Sequence, residues 1–156
     1  MDASIRPIIK EDIPALKGVL DSTELFPSAM LDDMIHDFLT NSTTSDIWFT
    51  ALEQGVPVSI GYCAPERMTE GTFNLYAIAV HNDFQGKGIG RQMMSYIEEF
   101  LRARGGRILL VETSGKPEFN LTRSFYHQCM YIRQAVIPEF YDVGDDKVVF
   151  WKNLRT

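Results

Sequence analysis

The sequence predicts an α/β chain of the α+β kind, with elements in the order β-α-α-β-β-β-α-β-α-β-β. Three observations carry that expectation. Residues 75–80 (LYAIAV) form an apolar run of strand length between polar residues. Behind it, Ile89, Met93, Ile97, Phe100 and Leu101 recur at helical spacing, so residues 91–104 form an amphipathic helix. Turn residues at Gly55-Val56-Pro57 and Gly144-Asp145-Asp146 each separate two strand-like runs, as antiparallel hairpins require.

Taken in order, residues 5–9 make a short first strand. Residues 11–20 place Ile13, Leu16, Val19 and Leu20 at helical spacing, and a second helix over 28–39 carries Met30, Leu31, Met34, Ile35 and Phe38. Residues 46–54 and 56–67 pair around Gly55. A turn at Glu70-Gly71 leads into the strand ending at Val80. Gly105-Gly106 stops the long helix, and residues 108–113 are a further buried strand. Asn120 is placed to cap a helix bearing Leu121, Phe125 and Cys129. Residues 131–137 and 147–154 close the chain as a last pair of strands. Repeats, low-complexity segments and linkers are absent.

At 156 residues and 45% hydrophobic, the chain is expected to bury one core as a single domain, 1–156. A formal net charge of −6 opposes general nucleic-acid binding and suits a cationic or amine partner. The N-terminal MDASIRPIIKED has no apolar leader core, and no stretch approaches membrane-span length, so the expectation is a cytoplasmic protein without a membrane partner. A homodimer is compatible with these features. Cys63 and Cys129 lie far apart and form no CxxC pair, and His36, His81 and His127 are scattered, so no metal is expected.

The strand, the glycines and the helix together point to chemistry. A strand passing through Gly86, Gly88 and Gly90 into a helix gathers backbone N–H groups at a helix N-terminus, where phosphate oxygens are held. The dinucleotide fingerprint GxGxxG fails, because Arg91 stands where its third glycine belongs. A Walker loop is missing altogether. What remains is Gln85-Gly86-Lys87-Gly88-Ile89-Gly90, a Q/R-x-x-G-x-G loop.

That loop, with the AIAV strand before it and the helix after it, resembles the acetyl-CoA pyrophosphate loop of the GCN5-related N-acetyltransferase (GNAT) superfamily. The resemblance is strong over residues 73–131, extends to the C-terminus, and rests on element order alone before residue 70. It implies a mixed, mostly antiparallel sheet whose fourth and fifth strands, here residues 72–81 and 107–113, run parallel and splay apart. Acetyl-CoA would enter that wedge as cosubstrate. The implied activity is transfer of its acetyl group to a primary amine, on a small molecule or on a peptide or protein, by direct attack in a ternary complex.

Such a transfer requires a carboxylate to take the amine proton, a fixed donor for the carbonyl oxygen, and a proton for the departing thiolate. The resemblance assigns Ile78, Ala79 and Val80 to the strand that pairs with the acetyl and pantetheine groups, with the Ile78 N–H as donor to the carbonyl oxygen. Gln85, Gly86, Lys87, Gly88, Ile89, Gly90 and Arg91 match the pyrophosphate loop. Asn120 matches an asparagine that contacts pantetheine or leads the fourth helix. Tyr126 occupies the tyrosine of the F-Y-E-x-x-G-F signature and is the general-acid candidate, although His127 replaces the glutamate and Met130 the glycine. The histone-type glutamate position is Asn74, which cannot be a base. Members resembling the ribosomal-protein alanine acetyltransferases, the closest in motif style, use a fifth-strand glutamate. Glu112 in Val111-Glu112-Thr113 is therefore the base candidate, with Glu139 and Asp142 as rivals. The alternative function is a non-catalytic acyl-CoA-binding or sensing module. Residues 26–30 and the loop over 138–146, with Phe140 and Tyr141, would flank the acceptor.

Overall fold

Alternation along the central strands sorts the core into two layers. Trp48 and Phe49 are adjacent and fully buried, yet they belong to different clusters. Successive side chains of a strand face opposite sides of the sheet. The computed structural model, which describes residues 3–155, forms one eight-stranded mixed sheet between two pairs of helices. The strands are β1 (Ser4–Pro7), β2 (Ile47–Glu53), β3 (Val56–Pro57), β4 (Ser59–Pro65), β5 (Thr72–Val80), β6 (Ile108–Ser114), β7 (Ile132–Asp142) and β8 (Asp145–Asn153). The helices are α1 (Ile13–Thr23), α2 (Leu31–Thr40), α3 (Ile89–Arg102) and α4 (Asn120–Gln128). Sheet order is β1-β2-β4-β5-β6-β8-β7, with β3 paired to β2.

Leu16, Val19 and Leu20 of α1 and Leu31 and Ile35 of α2 pack with Trp48 and Ile60 on one face. On the other, Met93, Met94, Ile97 and Leu101 of α3 and Tyr126 of α4 pack on Phe49, Leu75, Val111 and Phe150. Each such side chain contributes about 1.5–3 kcal/mol on burial. A polar strut crosses the second layer. Glu98 accepts hydrogen bonds from the Tyr131 hydroxyl (2.6 Å) and Lys152 Nζ (2.9 Å), and Lys152 also donates to the Cys129 carbonyl at the end of α4.

The predicted element order holds, with differences that have local causes. β3 separates from β4 because the register with β2 slips by one residue between Leu52↔Pro57 and Phe49↔Gly61, and Pro57 has no N–H to continue the ladder. α3 begins at Ile89, two residues before the expected start. β7 runs five residues past the expected end, although its pairing to β8 is interrupted between Ile137 and Asp142. Asn120 is the first residue of α4, not a side-chain cap: Phe119 precedes the helix, and the Asn120 side-chain oxygen accepts from Arg123 instead. The first two residues of the N-terminal reading, Met1 and Asp2, lie outside the described residues.

One feature of the sheet prepares the site. β5 and β6 run parallel and pair only from Thr72↔Ile108 to Leu75↔Val111. Beyond that point β5 continues to Val80 along β4, while β6 continues to Ser114 along β8. The two strands part at a bulge, since Tyr62 faces Ala77 and Cys63 faces Leu75, which leaves Tyr76 without a partner. An extra residue bends its strand and turns it out of the common plane.

Candidate active site in the strand wedge

Where β6 has left, one edge of β5 lacks a neighbour, and the ladder on its other edge decides which groups it presents. His81 N–H donates to the Val58 carbonyl at 2.8 Å, and Ile60 faces Ala79 in the same phase of the antiparallel register. Hydrogen-bonded and non-hydrogen-bonded pairs alternate along such a ladder. The backbone groups of Ala79 and His81 are therefore directed to β4, and those of Ile78 and Val80 to the wedge. Gln85 Nε2 donates to the Val80 carbonyl at 2.9 Å from that side. Of the three predicted strand residues, Ile78 and the N–H of Val80 face the wedge without a strand partner, the Val80 carbonyl is taken by Gln85, and Ala79 lines the space with its backbone turned to β4.

The wedge opens into a cavity of about 940 Å³. Ile78, Ala79, Val80, Gln85, Gly86, Gly88, Ile89, Gly90, Arg91, Glu112 and Tyr126 all reach it. Lys87 and Asn120 are not part of its wall. Lys87 Nζ lies 5.1 Å from the centroid of the Phe84 ring, and Asn120 is turned to Arg123.

The loop is held from within. Gln85 ties it to Val80 and, at 3.1 Å, to the Asn82 side chain. Gly88 immediately precedes α3 with φ +82°, a left-handed conformation that a β-branched residue resists. Gly90 lets the helix pack closely on α4: a Cβ there would stand 3.3 Å from the Phe125 ring, which would have to shift by a few tenths of an ångström. The first N–H groups of α3 lack intrahelical partners, and the helix dipole is positive at this end, so the loop suits an anion. Arg91 adds a charge at the rim, where it donates to Gln128 at 3.3 Å.

Tyr126 is 4% exposed, packed against Phe125, Tyr131 and Phe150, and its hydroxyl meets no hydrogen-bonding side chain among the described residues. Burial, with smaller contributions from Cys129 and Tyr141, drives its pKa up, so the phenol keeps its proton. Glu112 stands across the wedge with both oxygens engaged. Lys147 Nζ lies 3.0 Å from Oε1, and Asn74 Nδ2 donates to Oε2 at 2.9 Å. The same Asn74 amide donates to Glu66 Oε1, also at 2.9 Å. The residue that stands at the histone-type base position thus ties two carboxylates together. Tyr141, whose pKa burial, Glu112 and Asp145 push up to about 12, comes close to this group. Lys147 also sits 3.9 Å from the centroid of the Phe140 ring. Glu139 accepts from the Gly144 N–H and Asp142 from the Val143 N–H, and neither is in the cavity wall.

Several wall residues carry no signal in the sequence. Thr23, Glu24 and Leu25 come from the end of α1, where Glu24 takes a left-handed turn and Asn82 donates to Ser22. Phe119, Leu121 and Thr122 come from the start of α4, with Leu121 86% exposed at the mouth. Tyr76 could be seen as an aromatic within an apolar run, but its bulge depends on the partner strand. Among the described residues, no three His, Cys, Asp or Glu side chains gather as a metal would require, and no helix is long and apolar enough to cross a membrane.

Comparison with known proteins agrees with this geometry. A GNAT-family protein from Desulfovibrio desulfuricans is 27% identical and superposes with a TM-score of 0.91, covering 98% of this chain and 99% of that one. The ribosomal-protein-S18-alanine N-acetyltransferase of Escherichia coli superposes at 0.79 with 16% identity, over 99% of this chain and 95% of that one. YncA of Salmonella typhimurium, solved with its cofactor acetyl-CoA, gives 0.80 with 16% identity, over 100% and 96%. None of the curated proteins matches the sequence. The profile described as the acetyltransferase (GNAT) family matches residues 9–129, and the chain belongs to that family.

Proposed function

We propose that the protein is an acetyl-CoA-dependent N-acetyltransferase that moves an acetyl group to a primary amine by direct attack in a ternary complex. The observation that carries this reading is the open edge of β5. Ile78 and Val80 turn their backbone groups into the same cavity that receives Tyr126, Glu112 and the N-terminus of α3.

The residues fit the cosubstrate. The loop from Gln85 to Arg91 offers N–H groups and a helix terminus to a pyrophosphate. The wedge-facing groups of Ile78 and the Val80 N–H suit a pantetheine arm laid as an extra strand, as peptides add to sheet edges. Bound acetyl-CoA supplies an electrophilic thioester carbonyl and a thiolate leaving group. The Ile78 N–H donates to the carbonyl oxygen as negative charge grows there. The incoming nitrogen bonds to the carbonyl carbon and the carbon–sulfur bond breaks. Tyr126 gives its proton to sulfur, and Glu112 takes the proton that the nitrogen loses. Each oxygen of Glu112 retains a lone pair beyond its present partner, so it can still accept.

The engagement of both Glu112 oxygens favours a second reading, an acyl-CoA-binding module without turnover. Release of thiol from acetyl-CoA in the presence of amines separates the two. Amine-dependent release supports the transferase, and tight acetyl-CoA binding without release supports the module.

A further inference from the structure

A second pocket, of about 330 Å³, adjoins the wedge on the α1/α2 face of the sheet. Its walls are Leu25, Phe26, Met34, Tyr62, Tyr76 and Ala77, and Leu25, Tyr76 and Ala77 also line the larger cavity. We infer that this pocket receives the body of the acceptor, and that the acceptor is a primary amine borne a few bonds from an aromatic or branched apolar group. The inference rests on the acetyltransferase reading and narrows its substrate class.

Two of the walls, Tyr62 and Tyr76, belong to an aromatic stack that is backed by the fully buried Trp48. Trp48 and Tyr62 lie face to face at 4.2 Å with 7° between their planes, and Tyr62 and Tyr76 follow at 5.5 Å. Both hydroxyl tips point to carboxylates at the margin. Tyr76 donates to Glu66 Oε1 at 3.1 Å, which fixes its ring as the wall shared by the two cavities. Tyr62 is set against Asp46, and burial with that charge pushes its pKa up to about 12. Such a surface accepts apolar groups and attracts a cation, because ring faces and carboxylates are both negative. It offers no basic side chain to repel an ammonium. Its walls are mostly carbon and the Tyr76 hydroxyl already donates to Glu66, so the several hydroxyls of a sugar-like amine find few donors here. Ala77 directly precedes Ile78, the proposed donor to the acetyl oxygen, so a body seated here leaves its amine at the point where β5 and β6 part.

The bulge at Tyr76 explains why the pocket exists. Regular pairing would keep residue 76 in the ladder with β4. The extra residue instead leaves its ring 49% exposed between the two cavities.

The test uses the whole chain and measures thiol release with 2-phenylethylamine, isoamylamine, ethanolamine, spermidine, and short peptides beginning with Phe or Gly. Acetyl-CoA affinity is measured by calorimetry on the same preparation. An apolar pocket discriminates by roughly 10–200-fold per methylene-sized group. The expected kcat/KM for phenylethylamine or the Phe peptide therefore exceeds that for ethanolamine by on the order of 100-fold. Preference for the free amine assigns a small-molecule acceptor, and preference for the Phe peptide over the Gly peptide assigns an apolar N-terminal residue. Phe26→Ala is expected to shrink the preference about tenfold or more while acetyl-CoA affinity, measured at the other cavity, is kept. Equal or better use of ethanolamine or spermidine overturns the inference and leaves the acetyltransferase reading standing. Acetyl-CoA binding with no amine turned over, or no acetyl-CoA binding, overturns both.

Discussion

Tyr126 is a core residue that also lines the cavity. The ring packs on Phe150 and Tyr131, while the hydroxyl has no side-chain partner among the described residues. Tyr126→Phe therefore strands no hydrogen-bonding group and is expected to change stability by less than about 1 kcal/mol. Turnover is expected to fall roughly tenfold or more with acetyl-CoA affinity nearly unchanged, because only the proton donor is lost. Melting temperature and steady-state rate on one preparation check this, and a destabilised but fully active variant would remove Tyr126 from the site. Glu112→Gln keeps the shape and removes the proton acceptor. Its expected cost is on the order of 10²–10⁴-fold in turnover, with acetyl-CoA binding retained. Wild-type rates in that variant would move the proton to another carboxylate or to water. Motif resemblance in the sequence singles out both residues as candidates. It could not show that Asn74 holds Glu112, because that hydrogen bond spans 38 positions and depends on two strands meeting side by side.

Among the elements, the turn from β5 into α3 was legible because its signals are local. An apolar run, glycines and a 3.6-residue period lie within about thirty positions. The helix starts two residues earlier than its apolar period suggests because Gly88 closes the left-handed turn and helical geometry begins at the next residue. Gly88→Val places a β-branched residue at φ +82° while its added atoms meet little, the nearest being Gln92 Nε2 at 3.9 Å from a Cβ. The penalty is conformational and confined to the loop. Calorimetry is expected to show acetyl-CoA binding abolished with the circular dichroism of the fold preserved, and unchanged affinity would contradict the loop's assignment. The strut through Glu98 behaves differently. Removing its carboxylate in Glu98→Ala leaves Lys152 and Tyr131 without their partner, and Glu98 is 7% exposed. Breaking such a buried pair costs about 3–5 kcal/mol, which denaturant unfolding would register as a lowered midpoint. β7 extends past the end the sequence predicts because its last residues are exposed and show no inward-facing period. The Gly144 N–H donates to Glu139 Oε2 and the Glu139 N–H to Asp146 Oδ1 across this turn, and no pattern announces these bonds in advance.

Across the whole molecule, five of the six tyrosines share a pKa raised first of all by burial. Tyr62, Tyr76 and Tyr141 are pushed up to about 12, and Tyr126 and Tyr131 are driven higher. An unfolded chain releases these protons near pH ~10, where the folded one still holds them. Their contribution to stability is thus complete below about pH 10 and is lost as the pH rises through about 12. Unfolding midpoints are expected to fall over that window, with phenolate absorbance appearing together with unfolding. Loss of the Tyr126 and Tyr131 protons near pH ~10 in the intact fold, read by comparison with Tyr126→Phe and Tyr131→Phe, would contradict the burial of these two side chains, which are 4% and 2% exposed. Topology was legible at this scale through element order, whereas the parting of β5 from β6 came only through resemblance, since no residue pattern in either strand marks Leu75 and Val111 as the last pair. That parting underlies the central claim, that the open edge of β5 serves an acetyl group on its way to an amine. Mass spectrometry of the mixture after incubation with acetyl-CoA and primary amines tests it most directly. The expected result is an amine product heavier by one acetyl group, formed in equal amount to free CoA thiol and only when the amine is present. Acetyl-CoA bound by the protein, with no acetylated amine and no amine-dependent thiol, would contradict it.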